Sequence, residues 1–174
     1  HWGLGFDETG PYEVEAHGEF PASGALWNTA VKFRVTARYE GGVEILISGG
    51  YDDVRRGAKW VGDEGWLWVD RAGMEAGPQT LLRSRIQADE IHLPRSPGHH
   101  QQFIDCVKSR RRTLTPPDVA LRSATPGYLG LISMQLGRKI RWDPVRQRIV
   151  DDPVAERCLA RPMRSPWRLY QGVL

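Results

Sequence analysis

Apolar and polar positions alternate through much of the first half of the chain. Across residues 12–20, Val14 and Ala16 fall on one side and Glu13 and Glu15 on the other, the pattern of a strand with one buried face. Val31, Phe33 and Val35 alternate with Lys32 and Arg34. After Glu40-Gly41-Gly42 comes a second apolar run, Val43, Ile45, Leu46 and Ile47. Two such runs around a Gly-Gly turn predict a hairpin, because the turn residues must accept positive φ. A second hairpin is predicted from residues 58–61, the turn Gly62-Asp63-Glu64-Gly65, and residues 66–70. On its second strand Trp66, Trp68 and Asp70 share one face, and Leu67 and Val69 the other. Shorter strands are predicted at residues 73–75 and 80–82.

The period changes after Pro97. Ser96 reads as a cap followed by a first-turn proline. Phe103, Ile104 and Val107 then recur at helical spacing, up to the basic end formed by Lys108 to Arg112, which suits the negative end of the helix dipole. Thr115-Pro116-Pro117-Asp118 starts a second helix with the apolar stripe Leu121, Ala124, Tyr128, Leu131, Ile132 and Leu136. Gly137 is its natural stop, and Pro126-Gly127 is expected to kink it. Residues 139–142 and 148–150 predict a closing hairpin around Asp143-Pro144, and Asp152-Pro153 opens a short helix over residues 154–159. Residues 161–174, rich in proline and arginine, are expected to be irregular.

Strands first and helices second, with almost no alternation between them, indicate an α+β fold: an open, mainly antiparallel sheet with helices on one face. The other face must be wet or buried against a partner. Trp66 and Trp68 on one strand face favour a partner, and thus a subunit interface. The 174 residues suit one domain spanning residues 1–174, large enough to bury a core without metal or disulfide support. No apolar run reaches the length of a membrane span. The chain opens at His1 with no basic-then-apolar leader, which reads as an internal position of a longer protein. Cys106 and Cys158 lack zinc or redox spacing and read as reduced, partly buried thiols. The net charge of +3 is uneven. Residues 1–87 hold 9 Lys/Arg against 13 Asp/Glu, and residues 88–174 hold 15 against 8. A basic half raises nucleic acid as a partner. Its arginines are spread over several elements, however, and arginine equally serves carboxylate pairing. Neither nucleic acid nor a membrane is the expected partner.

Sites of chemistry are sparse. No G-x-G-x-x-G follows a strand, and no Walker loop, H-E-x-x-H or G-x-S-x-G occurs, so this chain is expected to bind no cofactor. His99 and His100 stand at a predicted helix start. Neighbours on a helix diverge by about 100°, which disfavours one shared metal. They are candidates for binding substrate, as is Arg122. No catalytic residue and no metal site is expected. Asp151-Asp152 reads as a capping pair, and Asp52 to Arg56 as a polar loop.

Several segments together resemble the bacterial branch of the Gfo/Idh/MocA family of nicotinamide-dependent oxidoreductases. The run from His99 through Phe103-Ile104-Asp105-Cys106-Val107-Lys108-Ser109 to Arg110 is similar to its H-H-x-N-F-(L/I)-D-C-V-(K/R)-S-(K/R) segment. Arg122-Ser123-Ala124-Thr125 resembles its R-S-A-T helix, and Leu136 to Pro144 its L-G-R-K-(L/I)-x-W-D-P turn. Arg161 to Leu169 resembles its R-P-(M/Y)-R-x-P-W-x-L tail. Gly62 to Arg71 is similar to its G-x-E-G-W hairpin, and Trp2-Gly3-Leu4-Gly5 to its W-x-L-G opening.

The resemblance implies the C-terminal substrate and oligomerisation domain of an oxidoreductase acting on a sugar- or polyol-like alcohol. NAD or NADP would be the cofactor of the full-length protein. The glycine-rich Rossmann domain, the E-K-P lysine and the motif histidine of the family would all lie upstream of His1. Sheet-to-sheet pairing into a homo-oligomer is also implied, in the bacterial cytoplasm or after export. Pro126-Gly127 departs from the family's helix. The readings set against this one are a catalytically silent binding module and, less favoured, a basic domain contacting nucleic acid.

Overall fold

Eight strands and three α-helices form in the computed structural model, which describes residues 1–167. They divide between two units. One joins residues 1–49 to the chain from Pro117 onward, and the other is the inserted stretch Gly50–Pro116.

In the first unit, β1 (Glu13–Glu19), β2 (Lys32–Arg38) and β3 (Glu44–Gly49) form an antiparallel meander. The turn between β2 and β3 holds Gly41 and Gly42 at φ of 78° and 79°, as the hairpin chemistry requires. After the insertion come α2 (Pro117–Leu136), β7 (Ile140–Asp143), β8 (Arg148–Ile149) and α3 (Pro153–Arg157). The chain returns to pair β7 with β1, so that Val14 lies opposite Ile140, and the sheet order becomes β3-β2-β1-β7-β8. Val14, Ala16, Val35, Ala37, Ile140, Trp142 and Ile149 bury the inner face under Leu129 and Ile132 of α2 and Ala155 of α3.

The buried stripe of α2 differs from the expected one. Leu121 and Tyr128 are exposed, while Val119, Thr125, Pro126, Leu129, Gly130, Ile132 and Ser133 are buried. Small residues decide the rotation. A Cβ on Gly130 would come within 2.6 Å of Val35 Cγ2, so the helix axis sits close to β2 only with glycine inward. Pro126 is buried on that face, and the helix continues through it from Pro117 to Leu136. Gly137, at φ 63°, closes the helix as expected, with the Arg138 N–H donating to the Ser133 carbonyl.

The outer face of this sheet is charged rather than apolar. Arg38 bonds Glu13 (2.7 Å) and Glu44 (2.9 Å), and Lys139 reaches Glu13 (3.2 Å). Such cross-strand pairs let the face stand in water.

The second unit holds β4 (Ala58–Gly62), β5 (Gly65–Val69), β6 (Met74–Gly77) and α1 (His99–Ser109). The three strands form their own antiparallel sheet, so Trp66 and Trp68 do not share a face with β2 and β3, contrary to expectation. Residues 80–82 lie in a 3-10 turn (Gln79–Arg83) instead of a strand. Pro78 has no N–H to give a ladder, and its carbonyl accepts from the Leu81 N–H. Cys106 is partly buried, as expected, whereas Cys158 is exposed. No helix among the described residues is long and apolar enough to cross a membrane. Residues 161–167 are largely irregular apart from a turn, and the rest of the tail expected to be irregular, 168–174, lies outside the described residues.

Candidate functional site

The two candidate histidines stand where the sequence puts them. Gly98, at φ 99°, turns the chain into α1, and its N–H donates to Ser96 Oγ (3.1 Å). The helix therefore starts at His99, later than the Ser96-Pro97 signal implies. Both imidazoles are exposed, and their centroids lie 3.9 Å apart at 42°. Behind them Gln101 Nε2 donates to Asp105 Oδ1 (2.8 Å), and Gln102 Oε1 accepts from the Leu114 N–H (3.3 Å). The second bond ties the chain after the helix back to its first turn. Imidazoles so placed can donate to or accept from a ligand hydroxyl. No group of three or more metal-ligating side chains occurs among the described residues.

Arg122 belongs to the first unit. Its Nη1 donates to the Pro144 carbonyl (3.1 Å), and its Nε is buried without a protein partner. Part of the guanidinium thus holds the β7–β8 turn against α2.

A second constellation, in the inserted unit, was not foreseen. A cleft of about 300 Å³ is lined by Arg55, Arg56, Trp68, Asp70, Met74 and Glu75, with Ala72 and Gly73. Register creates it: Lys59, Trp68 and Glu75 lie in one cross-strand row. Arg55 crosses that row from the preceding loop. Its fork meets both Glu75 oxygens (2.8 and 2.6 Å), and its Cζ lies 3.2 Å from the Trp68 ring centroid, combining a bidentate pair with cation–π contact. Hydrogen bonding to Arg55 holds the Glu75 carboxyl below its ordinary range. Asp70 Oδ1 accepts from the Ala72 and Gly73 N–H groups (2.7 and 3.1 Å), fixing the β5–β6 turn. Trp68 is only 7% exposed, and its indole N–H is buried with no protein partner.

The Arg55–Glu75 pair favours the charged form of both partners, an arrangement suited to binding. The sequence carried one faint sign of it: Arg55 and Glu75 flank the aromatic strand. That they meet depends on the length of the turn. Trp66 and Trp68, the residues expected at a subunit interface, lie on this same face. Trp66 faces Lys59 Nζ at 4.6 Å, and Trp68 is covered by Arg55. The opposite face of this sheet is the apolar one, with Ala58, Trp60, Leu67, Val69, Met74 and Ala76 in register.

A nicotinamide nucleotide does not fit the described residues. Its pyrophosphate site needs a strand leading through a glycine turn into a helix. Trp2–Leu4 is instead a 3-10 turn closed by Gly5, and α1 follows an irregular segment.

The sequence pattern of the family described as "Oxidoreductase family, C-terminal alpha/beta domain" (Gfo/Idh/MocA) matches residues 1–169. The solved structure of yvaA from Bacillus subtilis, in a triclinic crystal form, is similar over 77% of this chain, with 14% identity and a TM-score of 0.49. The matched part spans 46% of that longer chain. No curated protein matches.

Proposed function

Because this chain belongs to the Gfo/Idh/MocA oxidoreductase family, as its C-terminal alpha/beta domain, we propose that it supplies substrate binding and subunit assembly to an NAD- or NADP-dependent oxidoreductase acting on a sugar- or polyol-like alcohol. The observation that carries the reading is the family match across residues 1–169. When bound to the full-length protein, the nicotinamide would supply hydride exchange. The residues of this chain bind and orient. His99 and His100, exposed at the start of α1, offer a ligand hydroxyl both donors and acceptors. Arg122, in the other unit, is the next candidate after them, with its Nη1 donating to the Pro144 carbonyl and its Nε buried without a protein partner.

Replacing His99 and His100 by alanine in the full-length enzyme should raise KM about threefold to tenfold with kcat kept, as expected from losing one or two modest hydrogen bonds. Unchanged KM removes both from the site. Calorimetry on this chain alone should give no micromolar NAD or NADP binding, and binding at that strength would refute the assignment of the nucleotide site to upstream sequence.

Assembly with a second copy is the other half of the proposal. Its support is the apolar face of the three-stranded sheet, where Met74 is 60% and Trp60 39% exposed. Monomers seldom leave such a face in water. Sedimentation at micromolar concentration should show a species heavier than 19.7 kDa that Trp60→Glu or Met74→Glu dissociates. Dissociation by Trp66→Glu alone would return the interface to the other face.

A further inference from the structure

Every group lining the cleft over Trp68 belongs to the inserted unit, and its donors and acceptors are unequally spent. Both Glu75 oxygens accept from Arg55, and Asp70 Oδ1 accepts from the Ala72 and Gly73 N–H groups. Asp70 Oδ2 is the carboxylate oxygen left over. On the donor side, Arg56 is exposed at the cleft and forms no hydrogen bond or ion pair among the described residues. Trp68 adds an indole N–H with no acceptor, on a residue only 7% exposed.

Gly57 brings the two unspent donors together. It follows Arg56 directly, holds φ at 134°, and a Cβ on it would fall 2.7 Å from Trp68 Nε1. Glycine thus leaves the N–H its space, on the wall of the cleft from which Arg56 rises. The charges favour one sign of ligand. Arg55, Arg56 and Lys59 stand on this face against Asp70 and Glu75, a surplus of one positive charge.

We propose that this cleft binds a small hydroxy monocarboxylate. Its carboxylate takes the Arg56 fork, whose planar donors match that group, with the indole N–H beside Gly57 as a further donor. A hydroxyl of the ligand donates to Asp70 Oδ2. One negative charge balances the surplus, whereas a second would face Asp70 and Glu75 with nothing to offset it. A neutral polyol would leave the Arg56 charge unanswered, and hydrogen bonds between charged partners are the stronger ones. The cleft of about 300 Å³ equals the liquid share of about ten water molecules, so a molecule of about ten non-hydrogen atoms fills it. The inference rests on the cleft alone and does not depend on the role proposed for His99 and His100.

Calorimetric titration of this chain with sodium threonate, a trihydroxybutanoate, tests it. The dissociation constant should be about 1 mM or lower, within reach of a ligand this small. Threitol, with the same carbon chain and no carboxylate, and acetate, with no hydroxyl, should each bind at least about tenfold more weakly. Arg56→Gln, at an exposed position, should keep the native circular dichroism and weaken threonate about 10-fold to 150-fold, the range for one hydrogen bond between charged groups. Arg56→Lys, with charge but no fork, should recover part of the loss. Trp68→Phe keeps a ring under Arg55 without the N–H and should weaken binding about twofold to tenfold. His99→Ala with His100→Ala should bind threonate as the wild type does. Absence of binding at about ten times the expected constant overturns the proposal. So does Arg56→Gln binding undiminished, threitol binding as tightly as threonate, or loss of binding in the double histidine variant, which would move the ligand to α1.

Discussion

Gly130 is where α2 lies close against Val35 of β2. A methyl group there would fall 2.6 and 2.8 Å from the two γ-carbons of Val35, a buried β-branched side chain with little rotamer freedom. Alanine would gain about 1 kcal/mol in helix propensity, but overpacking typically costs about 1–3 kcal/mol. Gly130→Ala should therefore lower the denaturation midpoint, and Val35→Ala in the same chain should recover part of the loss; an unchanged midpoint would mean that the helix shifts freely. Asp152 acts at the other end of the unit. Its Oδ1 caps α3 by accepting from the Ala155 N–H (3.0 Å), and both oxygens meet the Arg138 guanidinium (2.8 and 2.9 Å). The Arg138 hydrogen bonds, and then the capping bond, lower its pKa to about 2, from an ordinary value near 4. Its stabilisation is complete above pH ~4 and is lost as the pH falls through 2. An acid titration of unfolding should show that loss in the wild type and less of it in Asp152→Asn, which keeps the cap without the ion pair. The capping role was legible from Asp152-Pro153. The Arg138 partner, fourteen positions away, was not, because only the return of β7 brings it near.

Individual elements were easier to read than their faces and partners. Both Gly-containing hairpins, the three helices and the Gly137 stop follow from local turn and cap chemistry, which acts over a few residues. The buried side of α2 does not. Its large apolar residues pointed to Leu121 and Tyr128, whereas packing selected the small ones, since close approach gains more contacts than a protruding side chain. Ser133 shows what that choice supports. Its hydroxyl accepts from the Ala16 N–H (3.0 Å) and donates to the Arg138 carbonyl (2.8 Å), joining β1, the helix end and the strand that follows. The residue is 1% exposed. Ser133→Ala should leave a buried N–H and a carbonyl short of partners and cost about 1–3 kcal/mol, measurable by urea unfolding. Ser133→Cys, with a weak thiol donor, should recover little. The assignment of strands to sheets was likewise invisible locally. Alternation shows that a strand has a buried face, but not which strands share it. For the same reason, the cleft over Trp68 went unseen while His99 and His100, named by local motif, stand where expected.

The whole molecule is a sheet interrupted by another. Residues 83–98 of the insertion are exposed throughout and irregular apart from short turns, and exposed irregular backbone is where proteases cut. Brief trypsin treatment should cleave first after Arg85 or Arg95, leaving the strands of both units intact; first cuts within β1 or β2 would contradict this picture. The interruption also has a consequence in time. β1 cannot acquire its neighbour β7 until the chain has been made through Ile140, and β8 closes the sheet only at Ile149. At a synthesis rate of roughly 5–20 residues per second, the hundred or so residues after β3 take about 5–20 s to emerge from the ribosome. For most of that interval, until α2 is complete at Leu136, the β1–β3 meander has no helix over it, and its inner valines and isoleucines are uncovered. Small hairpins form in microseconds, so the delay is set by translation and not by folding. A newborn chain with that surface uncovered is prone to aggregate for as long as its own second half is still being written.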